Sequence, residues 1–498
     1  VAPWSKTGGL GDVCGALPPA LAARGHRVMV AAPRYANYPD AIDTGVRLVL
    51  DGDKEVGFFH CCAKGVDWIF IDHPSFHRAG GPYGDHLGEY GDNQFRFSLL
   101  CRAALEALLR LPLGGEGAYG EDVVLVANDW PAALVPVYLA ALYRPRGRFL
   151  QARTVLAVHN LRHQGVFPPH TFWDLYLPDD WYGCLEWQYP PEQRMGAYEE
   201  EGRAVNHLKA GIATADRIVT VSPSYAQEIT SPEGGWGLEW MLGGRRERLD
   251  GVLNGIDAEE WGPARDPHLR AARGLGYSTY SAASMARGKA ACKRALQGEM
   301  GLPQDPGKPL VAFIGRLDFQ KGTDLILGAA PWLMEQGAQL VCLGSGDPGL
   351  EEGLRWLEAT YPHSARGWIG FDVPFSHRLT AGADILLMPS RFEPCGLNQM
   401  YALRYGTVPV VHATGGLRDT VRAFDPFAGS GNGWTFEGCT EAALVGALGH
   451  ALCTFRDHPE DFRRLQKRGM ERDSTWAASS AEYEVLFQWA RADPPHAG

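Results

Sequence analysis

The opening stretch Lys6-Thr-Gly8-Gly9-Leu-Gly-Asp12-Val sets a cation ahead of adjacent glycines, a composition suited to holding an anion. Glycines let backbone amides approach a phosphate closely, and a helix beginning there would offer its positive end. The spacing is neither a Walker loop nor GxGxxG, so a plain Gly-rich turn is the competing explanation. Gly315-Arg316-Leu-Asp-Phe-Gln-Lys321-Gly322 places two cations after an apolar run, where they can neutralise a diphosphate. Taken alone, such a pair would be solvated surface charge. Ser390-Arg-Phe-Glu393-Pro-Cys395-Gly396-Leu397 offers a carboxylate to sugar hydroxyls and amides that can donate, unless Glu393 merely caps a helix. Thr414-Gly415-Gly416-Leu417-Arg-Asp419 repeats the opening device further along the chain.

Two polar clusters complete the set. Val158-His159-Asn160-Leu-Arg-His-Gln-Gly165 follows an apolar run, so His159 would emerge at the carboxyl end of a strand, against the alternative of a hydrogen-bonded structural histidine. Asn128-Asp129-Trp130 occupies the same position after the preceding run, where Asp129 equally suits an N-cap.

The elements that must position these residues are short, nearly continuous apolar runs at 27–33, 66–72, 123–127, 154–158 and 217–222, then 310–314, 339–343, 385–389 and 408–412. Such runs suit parallel strands buried on both faces. Helical patterns at 92–109 and 131–142 lie between them, giving repeated βαβ units. A charged, Ser- and Ala-rich stretch from Trp261 to about Lys308 reads as linker and start of a second domain. The predicted division is 1–260, 261–475 and a terminal helical segment, 476–498, packing back across the domains. Two doubly wound domains facing a shared cleft would bind ligands at their strand ends.

At 498 residues the chain is long enough for two cores. With 45% apolar and 21% charged residues a globular protein is expected, and no apolar run reaches the ~18–20 residues that span a bilayer. A net charge of −11 argues against nucleic acid. The 15 Trp and 18 Tyr are mostly core, yet exposed rings also stack on sugars. The 10 Cys show no zinc spacing, so reduced thiols are expected, with a redox-regulated pair unreadable from spacing. The chain enters its Gly-rich loop directly, where a strand would come first, so a preceding segment with the first strand is expected to be missing from the sequence.

Taken together, KTGGLGDV, YGDNQFRF, VHNLRHQG, EGGWGL, LNGIDAEEW, FIGRLDFQKG, SRFEPCGLNQ and YGTVPVVHATGGLRDT, in this order, resemble the starch synthase and bacterial glycogen synthase family from Lys6 to about Trp489. Trp181-Tyr-Gly-Cys-Leu-Glu-Trp187 and Lys467-Arg-Gly-Met look most like the soluble class I starch synthases of plants and green algae.

The resemblance implies the α/β fold called GT-B and retaining transfer of glucose from ADP-glucose to the non-reducing end of an α-1,4-glucan, without cofactor or metal. It implies phosphate contacts for Lys6, Arg316 and Lys321, with amides near Gly8-Gly9 and Gly415-Gly416. Glu393 and the Cys395, Gly396 and Leu397 amides would hold the donor glucose. Asp12, Asp129, His159 and Asn254 would line the reaction centre, and Tyr90 the acceptor side. Phe371 stands where the family usually carries a Tyr beside adenine, and Tyr401 where many retaining GT-B enzymes carry a second Glu. No carboxylate nucleophile emerges, which favours front-face attack. A plastid stroma is implied by the subclass, a bacterial cytoplasm by the wider family. Other starch-building enzymes are a compatible partner class; nucleic acid and membranes are not. A UDP-glucose-dependent transferase, a phosphorylase carrying pyridoxal phosphate and an inactive glucan-binding scaffold are the rival readings.

Overall fold

The computed structural model describes residues 1–113, 117–189 and 202–496. The last two residues of the predicted terminal segment, 497 and 498, lie outside them. The chain divides into two compact units, Val1–Gly255 with Trp476–Gly498, and Ile256–Thr475.

The first unit holds two four-stranded sheets. One is wholly parallel, with spatial order Leu249–Gly251, Arg217–Thr220, Arg153–Val158, Val124–Asn128. The other pairs Val28–Pro33 in parallel with Val66–Asp72, and then adds Lys54–Ala63 and Ile42–Leu50 antiparallel. The antiparallel pair has no continuous apolar run to betray it. Ile42–Leu50 alternates exposed and half-buried residues, as a strand solvated on one face does. Val28–Pro33 and Val124–Asn128 each pair on one side only, and each is an edge of its sheet. A small antiparallel patch joins Glu186–Gln188, Arg203–Asn206 and Val166–Phe167.

Helix Gly9–Ala22 packs on the terminal helix Trp476–Ala492. Val13, Leu17, Leu21, Val155, Val219, Tyr483 and Leu486 form their common core. Each apolar side chain buried there contributes about 1.5–3 kcal/mol before chain entropy is counted. The pattern over 131–142 does not form one helix. Pro131 and Pro136 lack the amide a continuous helix needs, and the segment breaks into Asp129–Ala132, Leu134–Tyr138 and a wider turn over Leu139–Tyr143.

The second unit is built on six parallel strands in spatial order Ala365–Ile369, Gln339–Gly344, Leu310–Ile314, Ile385–Met388, Val408–His412, Trp434–Phe436. Counted along the chain this is 3-2-1-4-5-6, the doubly wound dinucleotide-fold order. Side chains alternate between two cores. Val311, Phe313, Leu340, Cys342, Ile385 and Leu387 face one, and Leu310, Ala312, Val341, Leu343, Leu386 and Met388 the other. The stretch 261–308, read as linker and start of the second domain, lies wholly within this unit. It forms helix Met285–Glu299, and Tyr277, Tyr280, Cys292 and Leu296 enter the second core. Two of its charges, Lys289 and Lys293, are themselves buried; Lys289 donates to Ala383 O and the Thr407 hydroxyl, and Lys293 lies 2.7 Å from Asp384.

All ten cysteines are free thiols. Among the described residues no helix is long and apolar enough to cross a membrane.

Candidate active site

The first unit gathers Asn128, Asp129 and His159 because strands Val124–Asn128 and Arg153–Val158 are parallel neighbours whose carboxyl ends coincide. Asp129 is buried and its backbone is held in the left-handed region at φ 52°, a conformation a non-glycine residue keeps only under constraint. The constraint is visible: Asp129 Oδ1 accepts the His159 amide at 2.7 Å and the Asn160 amide at 3.4 Å. The carboxylate therefore ties two strand ends together rather than capping its own helix. Burial outweighs those two bonds and pushes its pKa up to about 7. The His159 ring, buried and 2.9 Å from Asn128 Oδ1, is pushed down to about 4 and is neutral at pH 7. Cys14, on helix Gly9–Ala22, is pushed up to about 11 by burial, with a further increment from the negative charge of Asp129. The centre thus holds weakly charged, desolvated groups.

Around it, Lys6 Nζ pairs with Asp12 at 2.7 Å, both partly exposed. Gly8 and Gly9 are exposed, and a Cβ added to either would meet nothing within 4 Å. The loop is open at the start of a 14-residue helix, where the first amides lack intrahelical partners. Asn254 is buried with its Oδ1 unpartnered. Tyr90 lies on a separate segment, its ring 4.7 Å from the Arg78 guanidinium and 5.0 Å from that of Arg96, and its hydroxyl is buried without a partner.

The second unit places its residues where strand order reverses, at the ends of Leu310–Ile314 and Ile385–Met388. Ligands bind at such a switch point in doubly wound sheets. Lys321 Nζ lies 2.5 Å from Glu393 Oε2, and the Ser390 hydroxyl donates to the same oxygen at 3.1 Å. Arg316 is two-thirds exposed and is steadied by Asp318 at 3.1 Å and by Gln320 Oε1 at 2.9 Å. Gln320 also donates to Phe392 O, linking the two strand-end loops. Gly396 takes φ 69°, and a Cβ there would strike the Gln399 amide at 2.5 Å. Cys395 is buried and Leu397 leads into helix Asn398–Arg404. Phe371 follows strand Ala365–Ile369 and is 89% exposed, a bare aromatic face at a strand end.

The Gly415-Gly416 pair is packed unlike its N-terminal counterpart. The Gly416 amide donates to Glu393 O and Pro394 O at 3.1 Å. A Cβ on Gly415 would lie 2.2 Å from Glu393 O, and one on Gly416 2.0 Å from Cys395 O. These glycines exist so that the 393–395 backbone can pack directly on them. That packing helps to hold Glu393 in place.

Four residues were not assigned in advance. Ser390 and Gln320 stood inside quoted motifs, yet only the fold shows what they touch. Asn128 was seen as a motif member without its bond to His159. Cys14 gave no signal, since only helix packing brings it near Asp129.

Two α/β units in one chain, each with a parallel sheet whose strand ends carry the candidate residues, match the GT-B class of glycosyltransferases. Residues 1–244 match the starch synthase catalytic domain and 301–463 the group 1 glycosyl transferases. The chain is 53% identical to starch synthase 1, chloroplastic/amyloplastic, of Arabidopsis thaliana over 99% of its own length and 76% of that protein. It is likewise 53% identical to soluble starch synthase 1 of Solanum tuberosum, over 99% and 78%. The solved catalytic domain of starch synthase IV from Arabidopsis thaliana, bound to ADP and acarbose, superposes with a TM-score of 0.83 at 32% identity, covering 99% of this chain and 98% of that one. A sucrose-phosphate synthase from Thermosynechococcus elongatus, with TM-score 0.57 and 18% identity over 98% and 95%, shares the fold alone. The chain belongs to the starch synthase family.

Proposed function

We propose that this starch synthase homologue transfers glucose from ADP-glucose to the 4-hydroxyl at the non-reducing end of an α-1,4-glucan, with retention and without a metal. The single observation that carries the reading is the full-length likeness to a starch synthase whose solved structure holds ADP and acarbose. In the proposed roles, Arg316 and Lys321 take the diphosphate, assisted by Lys6 and the open Gly8-Gly9 amides. Fixed cations there stabilise charge that grows as the C1–O bond to phosphate breaks. Glu393, poised by Ser390, receives the hydroxyls of the donor glucose with the Cys395, Gly396 and Leu397 amides. Phe371 offers its face to adenine.

Asp12, Asp129, His159 and Asn254 line the reacting carbon, and Tyr90 the acceptor. Attack comes from the face the diphosphate leaves: the C1–O4 bond forms, and the departing phosphate oxygen takes the acceptor proton. A neutral His159 suits this role, since it donates a hydrogen bond without competing as a base. The plastid names of the 53%-identical relatives support a plastid location.

Incorporation of labelled glucose into amylopectin, comparing ADP-glucose with UDP-glucose in the presence of EDTA, tests the reading. Strong transfer from ADP-glucose that survives EDTA is expected. Preference for UDP-glucose would overturn the donor, loss in EDTA the metal-free mechanism, and folded protein without any transfer the enzymatic role.

A further inference from the structure

Besides Arg316 and Lys321, the strand-end loops of the second unit carry Arg391, which follows strand Ile385–Met388 and stands two positions before Glu393. A cation in that place invites the same phosphate role as the other two. Its hydrogen bonds go elsewhere. Nη1 donates to Asp324 Oδ1 at 2.8 Å and to Phe319 O at 2.6 Å, and Nη2 donates to Asp324 Oδ2 at 2.7 Å. One flat face of the guanidinium lies 3.3 Å from the centre of the Phe319 ring. The forked edge that would grip a phosphate is thus taken up by a carboxylate of the protein itself.

Both partners belong to the turn that carries Lys321. Phe319 precedes that lysine by two residues, and Asp324 follows it by three, in the first turn of helix Thr323–Glu335. Arg391 therefore grips the turn on either side of Lys321. Its own amide adds a tie, donating to Gln320 O at 2.8 Å. Gly322, at φ 70°, lets the turn lie so close to the neighbouring chain that a Cβ there would meet Pro389 O at 2.2 Å. Inside this bracket the Lys321 amide donates to Asp318 Oδ1 at 2.8 Å. The hydrogen bond from Arg391 is the main reason the Asp324 carboxyl sits below its ordinary range, so the pair is ionised at pH 7. A single exposed ion pair contributes little, whereas a two-bonded pair braced by a carbonyl and a ring fixes geometry as well as charge.

We propose that Arg391 is a positioning residue for the donor site: it locks the Lys321 turn to the Glu393 loop and so sets where the Lys321 cation meets the diphosphate, without touching ADP-glucose itself. The inference rests on the reading of Lys321 and Glu393 as donor-binding residues above. Lysine carries its charge on a flexible four-carbon stem, so its aim depends on a backbone that does not shift. A displacement of about 1 Å at such a group is enough to slow transfer severely. The grip acts on donor-binding loops alone, so its loss should leave the KM for glucan where it was.

The test is ADP binding to the full chain by titration calorimetry, with kcat and KM measured separately for ADP-glucose and for maltoheptaose. In Arg391→Ala the Kd for ADP should rise and kcat/KM for ADP-glucose fall, each about tenfold, with KM for maltoheptaose unchanged. Asp324→Asn, a milder change on a partly exposed helix start, should give a loss of similar size. The double variant should lose no more than the worse single one, because both changes break one contact. Arg391→Lys, which keeps the charge without the fork, should recover little. Losses that multiply in the double variant, or a loss seen with Arg391→Ala and absent from Asp324→Asn, would mean that Arg391 meets the ligand directly and would overturn the positioning role. Unchanged ADP affinity and kinetics in both single variants would overturn it too, with the donor reading left intact. Absence of ADP binding by the unmutated protein would overturn both.

Discussion

In the first unit Thr7-Gly8-Gly9-Leu10 opens helix Gly9–Ala22 with space around both glycines, whereas in the second Thr414-Gly415-Gly416-Leu417 is pressed against the backbone of 393–395. Both stretches read Thr-Gly-Gly-Leu-x-Asp, ending on Asp12 and Asp419. The same six-residue pattern thus serves a free surface in one place and a backbone-to-backbone contact in the other. What separates them is the neighbour: nothing crosses the first loop, while the Glu393–Cys395 chain crosses the second. A glycine pair is evidence of close approach, but a ligand and a neighbouring loop can each be the thing that approaches.

That contrast can be broken at its stronger end. Gly416→Ala drives a methyl into Cys395 O, and overpacking against backbone should cost about 3 kcal/mol, lowering Tm by ~6–12 °C. Thermal denaturation checks it; an unchanged Tm would mean that the 393–395 loop yields easily and the contact is incidental. Lys321→Ala leaves that contact whole and removes the cation beside Glu393. Turnover should fall roughly 10²–10³-fold with a much smaller change in Tm. Wild-type turnover with a lowered Tm would make Lys321 a structural residue.

Gly9→Ala probes the open loop. The substitution sits at a helix start with room for a methyl, so stability should stay within about 0.5 kcal/mol of the parent. Turnover should drop about tenfold if phosphate needs that surface bare. Loss of stability as large as in Gly416→Ala would erase the distinction between the loops.

The smallest effect concerns pH and the buried centre of the first unit. Asp129, raised to about 7, binds its proton more tightly folded than unfolded, so its contribution to stability falls as pH rises from about 4 to 7. His159, lowered to about 4, has the opposite slope: stability is lost as pH falls from 6.5 towards 4. Over their shared window the two largely cancel. Asp129→Asn, which retains an oxygen for the two amides, should therefore unmask a stability that rises with pH between about 4 and 6.5, at no more than ~1.4 kcal/mol per pH unit. Urea denaturation at pH 4.5 and 6.5 checks the sign; identical profiles for variant and parent would remove the carboxyl from the titrating set.

Much of the parallel framework was legible because strands buried on both faces leave runs such as Leu310–Ile314 with almost no polar interruption. Ile42–Leu50 escaped because its residues alternate between exposed and half-buried, and alternation in so polar a stretch resembles a loop. Glu393, Lys321, Asp129 and His159 were visible from their places after apolar runs. Their partners were not, since Ser390, Gln320 and Asn128 acquire meaning only through contacts. The packing on Gly415-Gly416 was hidden for the same reason, because the crossing chain comes from residues about twenty positions earlier. Trp236 stood inside EGGWGL, yet its positive φ, like the unbonded ring of the buried His207, shows only in the fold.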